Sequence, residues 1–212
     1  MAGAPDPEAN RMLQALANAL RARRLPWVRD VVPALTGLAI HFDVAHPELP
    51  EQALERCAAL LSECAEDARR FEDCGRLVEI PVCYEAPFGP DLEEVAARTG
   101  LSAAEVVRLH ARREYPVLAI GFAPGQPYLG GLDPKLALAR RASPRTRVPA
   151  GSVAIANLQT AIYSFETPGG WNVIGRTPLL LFDPSREPPS LLAPGDRVRF
   201  VPIGAPEFER LR

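Results

Sequence analysis

Short apolar runs separated by turn sequences fill the C-terminal half of the chain, and this alternation limits the fold more than any other feature. The runs with the length and composition of strands cover residues 115–121, 151–156, 161–166, 171–175, 179–182 and 197–202. The turns between them are marked by Thr167-Pro168-Gly169-Gly170, Asp183-Pro184 and Pro194-Gly195-Asp196. Many short strands with frequent Gly- and Pro-containing turns predict a closed β-barrel.

The first 75 residues carry helix signals as well as strand signals. Asp6, Pro7 and Glu8 begin a helix, since Asp is a good N-cap, Pro fits the first turn and Glu favours the positive helix end. Strands over 28–32 and 35–42, a helix over 51–70 and a strand over 76–84 follow. We therefore expect an α+β chain of two domains, at residues 1–75 and 76–212, with the boundary near Asp73 to Gly75.

The order α-β-β-α in the first domain is that of a ferredoxin-like domain without its first strand. An open position would then remain at the edge of the sheet, and unpaired edges favour aggregation. Two explanations stay open: the chain begins too late, or the edge pairs with another polypeptide.

A pair of short helices is predicted between the two halves. Asp91 with Glu94, and Ser102 with Glu105, have the spacing of two capping boxes, and Gly100 stands where the first helix ends. The segment also resembles a DNA-binding helix-turn-helix. A single such unit in a chain of net charge −2 offers too little positive charge to bind the phosphates of DNA. We expect structural packing here and no nucleic-acid partner.

The remaining bulk features point to a cytoplasmic protein without a membrane or metal role. The cysteines, Cys57, Cys64, Cys74 and Cys83, form no C-x-x-C pair and have no histidine at metal-ligand spacing, so we expect reduced thiols and no metal. The start of the chain lacks the pattern of a signal peptide. No apolar run has the length of a membrane span.

Three segments between Gly121 and Thr177 are too rich in Gly, Pro and polar residues for a plain barrel wall. Residues 121–133 bring glycines that let a backbone approach a ligand, together with a tyrosine that can stack on one. Residues 140–152 hold four arginines that can grip an anion or form a solvated charge run. The third segment combines Gln159-Thr160 with residues 171–177. We expect all three to meet at one mouth of the barrel.

Several catalytic motifs are missing from the sequence. It has no G-x-x-x-x-G-K-[ST] phosphate loop, no G-x-S-x-G elbow and no H-E-x-x-H. The histidines, His41, His46 and His110, lie outside the three segments. A self-contained hydrolase with its own nucleophile is therefore not favoured, and a partner chain is expected to complete the site.

These segments also carry a long and specific resemblance. The strings IPVCY, FGPDLEEVA, GFAPGQPYLGGLDP, RRASPRTRVPAGSVAIANLQTAIYSFETPGGWNVIGRTPL and LLAPGDRVRFVPI resemble the allophanate-hydrolase-subunit-1 family. The family includes 5-oxoprolinase subunits and the sporulation-kinase inhibitor KipI. The resemblance implies a ferredoxin-like N-terminal domain followed by a cyclophilin-like barrel.

The resemblance also implies an activity and partners. It points to the B subunit of an ATP-dependent 5-oxoprolinase that opens 5-oxoproline to glutamate. The partners would be a C subunit of the allophanate-hydrolase-subunit-2 type and an A subunit of the LamB/YcsF type. ATP would be a substrate held at an interface between the chains or by a partner. The residues implied are Arg145, Gln159 and Arg176 as catalytic groups, and Gly125, Gln126, Tyr128, Thr160 and Thr177 as the substrate site.

Two other activities are compatible with the same family. One is a KipI-like inhibitor of a sensor histidine kinase. The other is an allophanate hydrolase or carboxyltransferase-type subunit of urea metabolism. The chain also has side chains at three positions where the family usually has glycine, which is expected to narrow or reshape the pocket. Since one fold hosts many activities, the barrel alone does not choose among them.

Overall fold

The structure is a computed structural model that describes residues 6–68 and 75–212. The chain divides into two compact units, one within residues 5–74 and one that contains residues 75–212. We describe them separately as the N-terminal unit and the barrel unit.

The N-terminal unit is a two-stranded hairpin with two helices. Its elements are α1 (Pro7–Ala22), β1 (Val28–Ala34), β2 (Gly37–Phe42) and α2 (Ala53–Ala68). The Asp6 carboxylate caps α1 by accepting from the Glu8 amide at 2.9 Å, as predicted. The expected end of the second helix at residues 69–70 lies outside the described residues.

The hairpin differs slightly from the sequence expectation. β1 and β2 are antiparallel, and Ala34 pairs with Gly37 across a tight turn. Leu35, which we predicted to begin the second strand, lies in this turn with a φ of 48°. The hairpin packs on the helices through Ala17, Leu20, Val31 and Leu60.

The barrel unit contains most of the strands. Its elements are β3 (Leu77–Cys83), α3 (Leu92–Thr99), α4 (Ala103–Ala111), β4 (Glu114–Ile120), β5 (Pro127–Leu129), a 3-10 turn (Pro134–Leu136), β6 (Arg145–Val148), β7 (Ser152–Ala156), β8 (Gln159–Ile162), β9 (Thr167–Gly169), β10 (Asn172–Arg176), β11 (Arg197–Ile203) and α5 (Ala205–Leu211). Seven strands close into a barrel in the order β10-β3-β11-β4-β5-β8-β7, while β6 and β9 form a separate two-stranded ribbon. The predicted closed barrel is confirmed.

Alternate residues of the barrel strands point inward and form the main core. Paired residues such as Leu129, Thr160 and Ile155 share this inward face. The largest inward side chains are Tyr115, Phe200, Ile80, Leu129, Ile155, Ile162 and Ile174. Because successive side chains of a strand point to opposite faces, the residues between these inward ones point to the outer face of the barrel.

Several strand predictions need correction: residues 145–148, which we placed in the arginine-rich segment, form β6, and the strand predicted at 161–166 is observed at Gln159–Ile162. Residues 127–129 and 167–169, which we interpreted as loop and turn, form β5 and β9. Residues 179–182 are not a strand, and Phe182 makes only an isolated bridge to Ser190. The carbonyls of Leu180 and Leu181 accept hydrogen bonds from the Arg186 guanidinium.

One of the two predicted capping boxes is present. Ser102 and Glu105 exchange side-chain and backbone hydrogen bonds at the start of α4. The prediction for Asp91 is wrong, because its side chain makes no capping bond to α3. The Asp91 carboxylate instead accepts from two arginines and from the backbone of β10.

Candidate functional site

The outward side chains of four neighbouring barrel strands form a second cluster, which we call the outer aromatic cluster. Tyr128 on β5 pairs with Ala161 on β8, Ala161 with Ala154 on β7, and Ala154 with Val173 on β10. Directly paired residues point to the same face of a sheet, so these side chains stand in one row. The cluster consists of Tyr128, Val148, Ala154, Ala156, Ala161, Tyr163, Trp171 and Val173.

Two glutamines stand on the same outer face as this cluster. Gln126 is 3% exposed and donates from Nε2 to the Tyr128 hydroxyl at 3.5 Å, while its Oε1 is buried without a partner among the described residues. Gln159 lies two residues before Ala161 and therefore faces outward with it. Within the described ranges, its Nε2 is also buried without a partner. A buried polar atom without a partner is destabilising, and such atoms are a mark of a ligand site.

An arginine lies against the aromatic part of the cluster. The Arg140 guanidinium stands 5.7 Å from the centre of the Trp171 ring, within the range of a cation–π contact. Trp171 meets the Tyr128 ring edge-on, with 5.9 Å between the ring centres. The cluster thus combines aromatic surface, two amide groups and a positive charge.

Arg145 is bound to an internal carboxylate. Its two terminal nitrogens donate to both oxygens of Asp91, at 2.8 and 2.6 Å, and Asp91 is almost fully buried. Arg141 and the Val173 amide donate to the same carboxylate. The bond to Asp91 raises the pKa of Arg145. Arg145 therefore fastens the β6–β9 ribbon to the barrel and has little capacity left for a substrate anion.

Arg176 and Thr177 lie at the other end of β10 from Trp171. At a rise of about 3.3 Å per residue, the four steps from Asn172 to Arg176 span about 13 Å. Arg176 donates from Nε to the Ala150 carbonyl at 2.8 Å, and burial lowers its pKa. Thr177 is buried and accepts from the Leu179 amide at 3.3 Å. Arg176 pairs with Ser152, two residues before Ala154 of the outer aromatic cluster, so Arg176 and Thr177 lie on the side of the cluster away from Trp171.

The two remaining predicted residues have structural surroundings. Gly125 has a φ of 69°, and a Cβ there would lie 2.8 Å from Phe182 Cβ, so a side chain is excluded for steric reasons. Thr160 is fully buried and faces the barrel interior. Its hydroxyl is 3.0 Å from His110 Nε2 and 3.1 Å from the Ala154 carbonyl.

Thr160 ends a buried hydrogen-bond chain that sequence reasoning missed. Because the Thr160 hydroxyl donates to the Ala154 carbonyl, it must accept from His110, which places the histidine proton on Nε2. Nδ1 is then an acceptor for the Tyr84 hydroxyl at 2.8 Å. Burial lowers the pKa of His110 to about 3, so the ring stays neutral in this chain.

The structure therefore assembles only part of the expected site. Gln126, Tyr128 and Gln159 share the outer face of the barrel. Arg140 and Trp171, which were not among the predicted site residues, lie beside them. Arg140 belongs to neither a helix nor a strand, so no periodic pattern in the sequence could reveal its contact with Trp171.

Metal-ligand clusters and membrane-spanning helices are both missing from the described residues. Over residues 6–68 and 75–212, no group of three or more His, Cys, Asp or Glu side chains could hold a metal ion. Within the same ranges, no helix has the length and apolar character needed to cross a membrane.

Similar proteins place these features in a family. Two curated relatives are each named as the B subunit of 5-oxoprolinase. The protein from Bacillus subtilis (strain 168) is 43% identical over 210 residues, 95% of this chain and 86% of its own length. The protein from Escherichia coli O157:H7 is 49% identical over 183 residues, 85% of this chain and 82% of its own length.

Solved structures agree with this placement. A chain named TTHA0988 superposes with a TM-score of 0.82 at 42% identity; the match spans 97% of this chain and 39% of the other. The urea amidolyase of K. lactis shares the fold, with a TM-score of 0.72 at 21% identity over 97% of this chain and 14% of that one. Residues 1–192 match the family model described as carboxyltransferase domain, subdomain C and D. The chain belongs to this carboxyltransferase-domain family.

Proposed function

We propose that this chain is the B subunit of an ATP-dependent 5-oxoprolinase, which opens 5-oxo-L-proline to L-glutamate. Support comes from relatives of that name at 43% and 49% identity, whose lengths this chain covers to 86% and 82%. The observation that carries the proposal within the chain is the pair of amide atoms on Gln126 and Gln159, which lack partners among the described residues and lie beside aromatic rings. A lactam has one N–H donor and one carbonyl acceptor, which such groups can satisfy.

The reaction requires activation of a poor electrophile. ATP would phosphorylate the lactam carbonyl oxygen and release ADP. Water would then add to the same carbon and the C–N bond would break, which leaves an acyl phosphate with a free amine. A second water would release phosphate and give glutamate. This sequence needs positioned donors and cations more than a protein nucleophile.

We assign the substrate wall to Gln126, Tyr128 and Gln159. Arg145 contributes by holding the ribbon in place through Asp91. The other residues expected from the sequence support the barrel around this face and are not assigned a contact with substrate: Gly125, Thr160, Arg176 and Thr177. ATP is assigned to a partner chain or to an interface with one.

The proposed partners are a C subunit of the allophanate-hydrolase-subunit-2 type and an A subunit of the LamB/YcsF type. An exposed apolar patch on the barrel unit supports such an assembly. The patch consists of the half-buried Phe182, Phe165 with its ring centre 5.9 Å away, Leu180, and Phe122 on the loop whose Gly125 lies against Phe182; Phe122 and Leu180 are 74% and 67% exposed. Apolar surface of this kind marks interaction sites. A complex of this type would work in the cytoplasm, with the N-terminal unit as a ferredoxin-like domain.

The test is reconstitution of the complex from its three purified chains. We expect ADP release to rise on addition of 5-oxo-L-proline and to stay at background when this chain is omitted. Allophanate in place of 5-oxoproline should give no stimulation. Stimulation by allophanate alone would instead support the urea-metabolism alternative.

A variant pair tests the assigned wall in the same complex. Gln126→Leu keeps the size of the side chain and removes its amide, so kcat/KM for 5-oxoproline should fall about ten-fold or more. Gln52→Leu is the matched control, because Gln52 is exposed on the N-terminal unit. Equal kcat/KM for the two variants would remove Gln126 from the site.

A further inference from the structure

The arginine-rich stretch before β7 contains one guanidinium whose charge is not neutralised within the described part of the chain. Arg141 and Arg145 bind Asp91, and Arg147 binds Glu166 at 2.7 Å. Arg140 has no carboxylate within ion-pair distance among the described residues, and its charge lies over Trp171. Of the four arginines between residues 140 and 147, Arg140 is therefore the one that can meet an external anion.

The surroundings of Arg140 favour a small organic anion over a bare inorganic one. Trp171 is 6% exposed, so its ring is a fixed platform that holds the guanidinium without neutralising it. Tyr128 continues the aromatic surface toward Gln126, whose Oε1 has no partner within the described ranges. A ligand that suits this face carries a carboxylate at one end and an amide at the other.

We propose that Arg140, held over the ring of Trp171, binds the carboxylate of the substrate and so sets specificity for an amide that bears an acid group. This inference rests on the proposed function, since it assigns the acid group of 5-oxoproline. It differs from the motif-based expectation, in which Arg145 and Arg176 contact anions. Arg145 already forms a two-point ion pair with Asp91, and Arg176 lies at the end of β10 away from Trp171.

Arg140 is expected to affect substrate binding and not the chemical step. The carboxylate of 5-oxoproline does not react, so Arg140 acts by holding the substrate and not by stabilising the reacting carbon. Loss of the guanidinium should then raise KM and leave kcat at saturating substrate nearly unchanged. A role for Arg140 in the transition state would lower kcat instead.

The experiment compares variants in the assembled complex. Arg140→Ala should raise KM for 5-oxo-L-proline about ten-fold or more, which is the loss expected for a hydrogen bond to a charged group. Arg140→Lys keeps the charge and should restore part of the loss. Arg147→Ala, on the same segment and with a side chain that is 77% exposed, is the matched control and should leave KM unchanged.

A second ligand separates failure of this inference from failure of the proposed function. 2-Pyrrolidinone has the lactam ring of the substrate without its carboxylate, and its inhibition constant should be the same for the wild-type and Arg140→Ala complexes. A wild-type complex without 5-oxoproline-dependent ATP hydrolysis would overturn the proposed function itself. An active wild-type complex in which Arg140→Ala leaves KM unchanged would show that Arg140 is a solvated surface charge.

Discussion

At the scale of single residues, some arginines of this chain bind carboxylates of the chain itself, and others can bind a ligand. Asp91 is the carboxylate that holds the first group. It is almost fully buried and accepts hydrogen bonds from Arg141, Arg145 and the Val173 amide. A sequence with four arginines in eight positions looks like a solvated charge run, yet two of these guanidinium groups bind one internal carboxylate, and Arg141 also binds Glu94 at 3.1 Å.

Removal of Arg145 should destabilise the barrel unit. Arg145→Ala leaves the buried Asp91 carboxylate with fewer donors, which costs roughly 1–3 kcal/mol of the free energy of unfolding. Urea denaturation measures this loss. Arg147→Ala on the same strand breaks an exposed pair and should change stability by less than about 0.5 kcal/mol. Equal losses would contradict the structural role of Arg145.

The buried His110 predicts a pH dependence of stability. Burial lowers its pKa to about 3 from an ordinary value of 6.5. Below pH 6.5 the imidazole of His110 binds a proton in the unfolded chain, whereas in the folded chain it stays unprotonated down to about pH 3. His110 therefore lowers the free energy of unfolding as the pH drops from 6.5 to about 3. Within this window the free energy of unfolding changes by about 1.4 kcal/mol per pH unit because of His110, and above pH 6.5 His110 adds no pH dependence.

His110→Gln tests this prediction by chemical denaturation across the window. The stability difference between the wild type and the variant should shrink as pH is lowered from about 6.5 towards 4. His41→Gln, at an exposed position of β2, controls for the loss of a histidine as such. A His110→Gln difference that is constant over the whole window would contradict a neutral buried ring.

Among the secondary-structure elements, closure of the barrel depends on a tight turn before β7. Gly151 has a φ of 80°, and a Cβ there would lie 2.3 Å from the Thr177 carbonyl oxygen. Gly100, after α3, has a similar φ of 70° with no atom within 4 Å of its Cβ position. The two glycines therefore share a backbone conformation and differ in the space around it.

Replacement by alanine should distinguish the two positions. Gly100→Ala should cost about 1 kcal/mol, as expected when a residue with a Cβ adopts a left-handed conformation. Gly151→Ala adds a clash with backbone and should cost clearly more, with a larger fall in the midpoint of thermal unfolding. Equal midpoints would mean that the turn before β7 rearranges without loss.

The strands that the sequence predicts best are the long ones. The apolar alternation of β3, β4 and β11 identifies these strands, because seven-residue strands with buried inward positions carry a clear period. β5 and β9 have three residues each and include proline, so local composition describes them as loop and turn. Their pairing comes from tertiary contacts.

The candidate site is predictable to a similar extent. Gln126, Tyr128 and Gln159 stand out in the sequence because they lie in segments of unusual composition near strand ends. The inward direction of Thr160 follows from register with Leu129, which requires knowledge of which strands pair. The link between His110 and Thr160 spans 50 positions of sequence and has no local signal.

As a whole, the molecule is expected to work only within a complex. The apolar patch of Phe122, Phe165, Leu180 and Phe182 is proposed as a contact with a partner chain. Phe122→Ser combined with Leu180→Ser should abolish co-elution with the C subunit in gel filtration, since exposed apolar side chains at an interface centre carry much of the binding energy.

A matched control is available for this variant. Val44→Ser changes an apolar residue of the N-terminal unit that is 85% exposed and lies outside the patch. We expect this variant to co-elute with the partner like the wild type. Co-elution of the patch variant at the wild-type position would move the interface elsewhere.

The decisive quantity is the amount of glutamate formed relative to ADP when the three chains are assembled. We predict that 5-oxo-L-proline yields glutamate and ADP in equimolar amounts, and that omission of this chain stops glutamate formation. Glutamate formation at an undiminished rate without this chain would show that it is not a working part of the 5-oxoprolinase.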